Sequence, residues 1–288
     1  MNFSWFASAY DHDDVPYRVV TLVQIAGVLV LAAVSTAGAE RAVALRYATG
    51  VLACQVGWLG LLVFPEGARA WVFLVMVVAE LGVPVFAERD SRTAWHPHHI
   101  AERYGLFTII VLGETIAAAT VAVKSAVDEH DALGELLPIA GGGLLIVFAA
   151  WWIYFVVPVH GHLRSNRQAF LWGYGHYLVF ASAAAIGAGL EVGVEQAAGK
   201  AHISATAAAA AVTVPTALYL VTVWALHSRH FKVGLAQQAV LPGAAVLVLC
   251  CTSLGRWGVL AAGVVAALTV VTGTTLTARM AAREGEAG

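Results

Sequence analysis

The residues whose types and spacing could do chemistry concentrate in HPHHIAERYGLFTIIVLGETIAAAT, residues 96–120. His98 and Glu102 stand four apart and His99 and Glu102 three apart, so on a helix either pair shares a face. Imidazole and carboxylate at that repeat can share one metal ion. His160 and His162, in the VHGH step, extend the set to His98, His99, Glu102, His160 and His162. The competing reading is a helix N-terminus just after Pro97. Glu102 would then lie near the positive end of the helix dipole, and Arg103 would reach back towards lipid headgroups.

A different chemistry is available further along the same helix, where the lone carboxylate Glu114 interrupts an apolar run. Arg103 and Glu114 would lie about 16 Å apart along the axis and within about 20° of one another around it. His99 sits one turn before Arg103 on the same side. An ionisable group at the centre of a membrane helix costs about 2.5–3.5 kcal/mol and normally turns to a bundle interior or a wet cavity. Such an acid suits proton or cation coupling. Glu80, in WVFLVMVVAELGVPVF, is a second carboxylate of this kind, followed by the backbone-loosening Gly82 and Pro84. The two acids are expected to share a site on neighbouring spans, or else to serve interhelical hydrogen bonds. His176, in WGYGHY, is a candidate relay partner. Its place near a helix end also fits an interfacial aromatic belt.

The elements that must position these residues follow from composition. Of 288 residues, 60% are hydrophobic and 12% charged, with a mean hydropathy of +0.77. Soluble domains carry about 25% charged residues, so lipid is the expected solvent. Apolar runs fall at about 17–38, 45–64, 69–87, 104–123, 137–158, 168–190, 203–226, 238–254 and 258–280. At about 20 residues per span, the expected fold is all-α: a polytopic transmembrane helix bundle of about nine spans, forming a single integral membrane domain over 1–288. Alternating nine spans divides the Lys and Arg residues eleven to five. The majority side carries the His96–Arg103 segment and the C-terminus and is expected to be cytoplasmic.

Cys54, Cys250 and Cys251 lie in apolar runs and read as small hydrophobes rather than a disulfide framework. The start, MNFSWFASAYDHDD, lacks a cleavable signal pattern. Asp14 is placed to cap a helix opened by Val15-Pro16. Gly189 and Gly193 form a weak small-xxx-small signal. A net charge of −2 gives no argument for nucleic acid. No GxxxxGK[ST], GxGxxG, GxSxG or HExxH step occurs, so no nucleotide cofactor or common hydrolase chemistry is indicated, and a non-enzyme is favoured.

At HHIAERYGLFTIIVLGETI the chain resembles the bacterial low temperature requirement protein A family, with ERYGLFTIIVLGE at 102–114 as the distinctive core. FSWFASAYDHDDVPYRVVTLVQIAGVLVLAA, WWIYFVVP and WGYGHYLVFASAAAIGAGLE are similar to further segments of that family. Its usual upstream helix with a Leu-Glu-Leu-Phe-Phe-Asp-like step is absent, and the Ser35–Arg46 link is short where relatives hold more chain. Met1 therefore falls inside what resembles a family helix. The resemblance implies a multi-pass protein of the bacterial inner membrane, named from a cold-growth requirement, and supplies no reaction. The expected partners are membrane lipids, an ion or small-molecule substrate, and in an oligomer a second copy of the chain. The three functions in view are cation- or proton-coupled transport, a membrane-embedded metal protein or enzyme, and a non-catalytic stress-adaptation role.

Overall fold

A computed structural model describes residues 38–61, 63–89, 96–130, 133–232 and 234–287, together with residues 19, 23, 26 and 27. The expected span at 17–38 and the Asp11–Arg18 segment fall almost wholly outside the described residues. Eight α-helices follow, one on each of the other expected apolar runs: α1 (Gly38–Gly60), α2 (Glu66–Ala87), α3 (Pro97–His130), α4 (Leu133–Phe155), α5 (Asn166–Ala197), α6 (Ala205–Leu226), α7 (Leu235–Cys251) and α8 (Gly258–Ala287). Short 3-10 turns at Val159–His162, Ser228–His230 and Thr252–Trp257 complete the described elements, none of which is a strand.

The expected nine spans are not supported. Six segments among the described residues are long and apolar enough to cross a membrane. The difference has two identifiable sources beyond residues 17–38. Helices α7 and α8 belong to one apolar segment, Leu235–Arg279, bent at Gly255, whose φ of 54° is a left-handed conformation that suits glycine. Helix α3 is not among the six, which are drawn from the described residues alone.

The chain divides into two compact units between Trp95 and His96. In the first, α1 and α2 pair through Gly50, whose missing side chain makes room for Val83. Trp58 Nε1 donates to Glu80 Oε2 at 2.6 Å, and Tyr47 Oη to Glu88 Oε1 at 3.1 Å. These bonds tie the pair at two levels.

In the second unit α5 packs on α3, α4 and α6. Its start is set by Ser165, whose hydroxyl accepts from the Gln168 N–H at 3.3 Å, and α6 is capped likewise by Ser204. Polar cross-ties fix the register inside the apolar core. Thr115 Oγ1 donates to the Ala183 carbonyl at 3.1 Å, and Tyr219 Oη to the Ala150 carbonyl at 3.0 Å.

The tightest approach couples two backbone features. Pro215 lies inside α6 and brings no N–H to the carbonyl of Ala211. Gly189 of α5 is the residue aimed at that carbonyl, so closely that any side chain there would collide with it. A Cα–H thus covers an acceptor that the proline leaves without its helical donor. The weak Gly189–Gly193 signal therefore resolves unequally, because Gly193 faces Ile139 at ordinary contact distance.

Candidate functional site

The N-terminal turn of α3 brings His98, His99 and Glu102 together. A ligand atom from each lies within 4.8 Å of the others, and all three residues are exposed. His98 Nδ1 is 3.8 Å and His99 Nδ1 3.6 Å from Glu102 Oε2, as the three- and four-residue spacings require. His160, from the turn after α4, sets its ring 5.3 Å from that of His98. His162 does not join this group; it stacks on His230 at 3.9 Å. The expected five-residue set is thus divided, with His98, His99, Glu102 and His160 in one group and His162 in a second histidine pair.

Behind His98, Glu102 and His160 is a cavity of about 320 Å³. Its apolar wall includes Leu106, Ile109, Phe155 and Val159, and its inner wall is formed by Tyr154, Trp172 and His227. Those three are 4%, 3% and 1% exposed. Trp172 and His176 come from successive turns of α5, Tyr154 from the last turn of α4, and His227 from the end of α6. The four rings close on one another. Tyr154 and His227 centroids are 4.5 Å apart, Trp172 and His176 4.0 Å, and His176 and His227 5.4 Å. Tyr104 of α3 packs against Trp172 and His176, and Gly173 leaves the room its hydroxyl needs.

Hydrogen bonding assigns the state of His176. Its Nδ1 lies 2.7 Å from the Trp172 carbonyl, which can only accept, so Nδ1 carries the proton. Nε2 then accepts from the Tyr154 hydroxyl at 2.9 Å. His176 is a neutral, doubly satisfied core residue rather than a member of an interfacial belt. His227 differs. Both of its ring nitrogens are buried without a hydrogen-bond partner among the described residues, as is Trp172 Nε1. The Tyr154 carbonyl is near His227 but does not meet hydrogen-bond geometry. Leaving such a group unsatisfied costs about 1–3 kcal/mol, so the inner wall offers a donor and an imidazole to whatever enters.

Of the carboxylates expected to couple ions, Glu114 shares the second unit with this cavity but does not line it. Glu114 is exposed, on the side of α3 away from the buried Leu112 and Thr115, so the described residues do not enclose it. Glu80 belongs to the other compact unit and is held by Trp58. Arg103 is exposed near the start of α3.

His227 and Tyr154 carry no signal of their own in the sequence, and Trp172 enters only as the first residue of the WGYGHY step around His176. The available signal was Trp172–His176, two polar-tipped rings four apart in a helix. The partners on α4 and α6 have no local signature.

Comparison with known proteins agrees with the motif at 102–114. The family described as Bacterial low temperature requirement A protein (LtrA) matches the chain over residues 1–38 and 32–277. The chain is a member of that family, with a helical fold suited to a membrane. No curated protein and no solved structure matches it.

Proposed function

We propose that this chain is a proton- or cation-handling protein of the bacterial inner membrane. In this reading the ion is received at the histidine-lined cavity, and the buried His227 is its internal acceptor. The single observation that carries the reading is His227, with two unpartnered ring nitrogens on a cavity whose rim is His98, Glu102 and His160. A neutral imidazole can take a proton or a soft cation, and the rim supplies groups that can deliver either one. Trp172 Nε1 can hold a water or an anion beside it. The Lys- and Arg-bearing end that includes Arg103, Arg164, Arg167 and Arg229 lies on the side of these histidines, which supports a cytoplasmic mouth. On this reading Glu114 belongs to a later stage of the path or to helix association.

The test is flux in reconstituted vesicles holding a pH-sensitive dye, driven by an imposed potential. His227→Asn is expected to reduce proton entry at least about tenfold, in line with the loss of a positioned acid–base group. Undiminished flux in a folded His227→Asn protein overturns the proposal.

A second reading has its own observation. The His98–His99–Glu102 group, with His160 beside it, has the donor chemistry of a zinc- or nickel-binding surface. Stoichiometric metal on the purified protein, lost in His98→Ala, favours it.

A further inference from the structure

A second cavity, of about 500 Å³, lies between the end of α4, the start of α7 and α8, and shares the Val157–Pro158 wall with the histidine cavity. Most of its lining is apolar, including Trp152, Ile153, Leu241 and Val270. Among the described residues one lining residue is charged. Lys232 is half-buried there, and its Nζ reaches α8 beside Gly273.

The backbone that carries this lysine is held in place. Gln238 donates through Nε2 to the carbonyls of Arg229 at 2.8 Å and Lys232 at 2.7 Å, while its Oε1 accepts from Trp224 Nε1 at 3.1 Å. Among the described residues no Asp or Glu lines the groove. The remaining polar groups include the hydroxyls of Ser228, Thr274 and Thr277. A half-buried ammonium without a lining carboxylate is an electrostatic deficit in a groove otherwise suited to hydrocarbon. Burial alone pushes the Lys232 ammonium below its ordinary pKa, the direction expected where no acid compensates.

We propose that the α4–α7–α8 groove is a binding site for an anionic phospholipid, its phosphate on Lys232 and an acyl chain along Ile153, Leu241 and Val270. Both halves of the ligand are needed. The charge at Lys232 selects an anion and the length of apolar wall selects a lipid over a free ion. Basic pockets between membrane helices bind such headgroups for the same reason. The site is independent of any role for His227.

The experiment uses the full chain, delipidated and then equilibrated with equal amounts of phosphatidylglycerol and phosphatidylcholine, with retained lipid measured by native mass spectrometry. The wild type is expected to retain phosphatidylglycerol preferentially. Lys232→Gln is expected to lower that retention about fivefold, the effect of one basic residue on anionic lipid, and Lys232→Arg to preserve it. Gly273→Leu, which fills the groove beside Nζ, is expected to lower retention of both lipids, and melting curves check that each variant folds. Equal retention of the two lipids, or unchanged retention in a folded Lys232→Gln protein, overturns the proposal. So does displacement of phosphatidylglycerol by millimolar inorganic phosphate, which would make the site a phosphate site only.

Discussion

Tyr154 donates its hydroxyl hydrogen to Nε2 of His176 across 2.9 Å of buried space, joining the last turn of α4 to the third turn of α5. That bond orients the imidazole and closes one side of the histidine cavity. Removing the donor leaves a buried lone pair on His176, so Tyr154→Phe is expected to cost about 1–3 kcal/mol. Chemical denaturation in detergent, followed by tryptophan fluorescence, measures it. A loss smaller than about 0.5 kcal/mol would mean that the bond is not sustained in solution.

On the metal-binding reading, zinc affinity is expected to divide the histidines along the line the geometry draws. His98→Ala and Glu102→Ala are expected to weaken zinc binding by at least about tenfold, and His160→Ala by less. His162→Ala is expected to change nothing, because its ring stacks on His230. Calorimetric titration separates these outcomes, and a large effect at His162 would point to a different ligand set.

Glycines with similar sequence context differ sharply in consequence. Gly189→Ala drives a methyl into the Ala211 carbonyl and is expected to destabilise by about 1–3 kcal/mol, the range of overpacking. Gly193→Ala meets only Ile139 at 3.6 Å and is expected to stay within about 1 kcal/mol of wild type, helped by the better helix propensity of alanine. Thermal melts of the two variants side by side make the comparison.

Lys232 gives stability a pH dependence of defined sign. Its ordinary value is 10.5, and burial lowers it in the folded state. Between the lowered value and 10.5 the unfolded chain holds the proton while the folded chain has released it, so stability rises with pH across that window. Below the window the ammonium is charged in both states and its desolvation cost is present in full. Lys232→Gln should remove this alkaline rise. A bound anionic lipid should shrink it by favouring the charged form.

The helices were legible because hydrophobicity is local. The apolar run at 203–226 became α6, Ala205–Leu226, and the spacing of His98, His99 and Glu102 became their distances. The number of spans was less so. The break before Gly258 shows as the gap between the runs 238–254 and 258–280, but the positive φ with which Gly255 turns the chain there does not show in the apolar pattern.

What the sequence withheld was which face of each helix meets another. The angular relation of Arg103 to Glu114 follows from helix geometry, but Thr108, Leu112 and Thr115 make the buried side of α3. For the same reason His176 and His227, 51 positions apart by subtraction of their numbers, gave no sign of standing 5.4 Å from one another.

The bend at Gly255 also sets a length. Helix α7 has 17 residues, about 25 Å at 1.5 Å per residue, against a hydrocarbon layer of about 30 Å. A leg that short is matched only if lipids beside it compress or if the Thr252–Trp257 turn, with Arg256 over the ring of Trp257, is drawn towards the headgroups. Acyl-chain length therefore becomes a variable to which this part of the molecule is mechanically coupled. A thicker membrane should strain the α7–α8 hairpin before it strains the longer helices around α5.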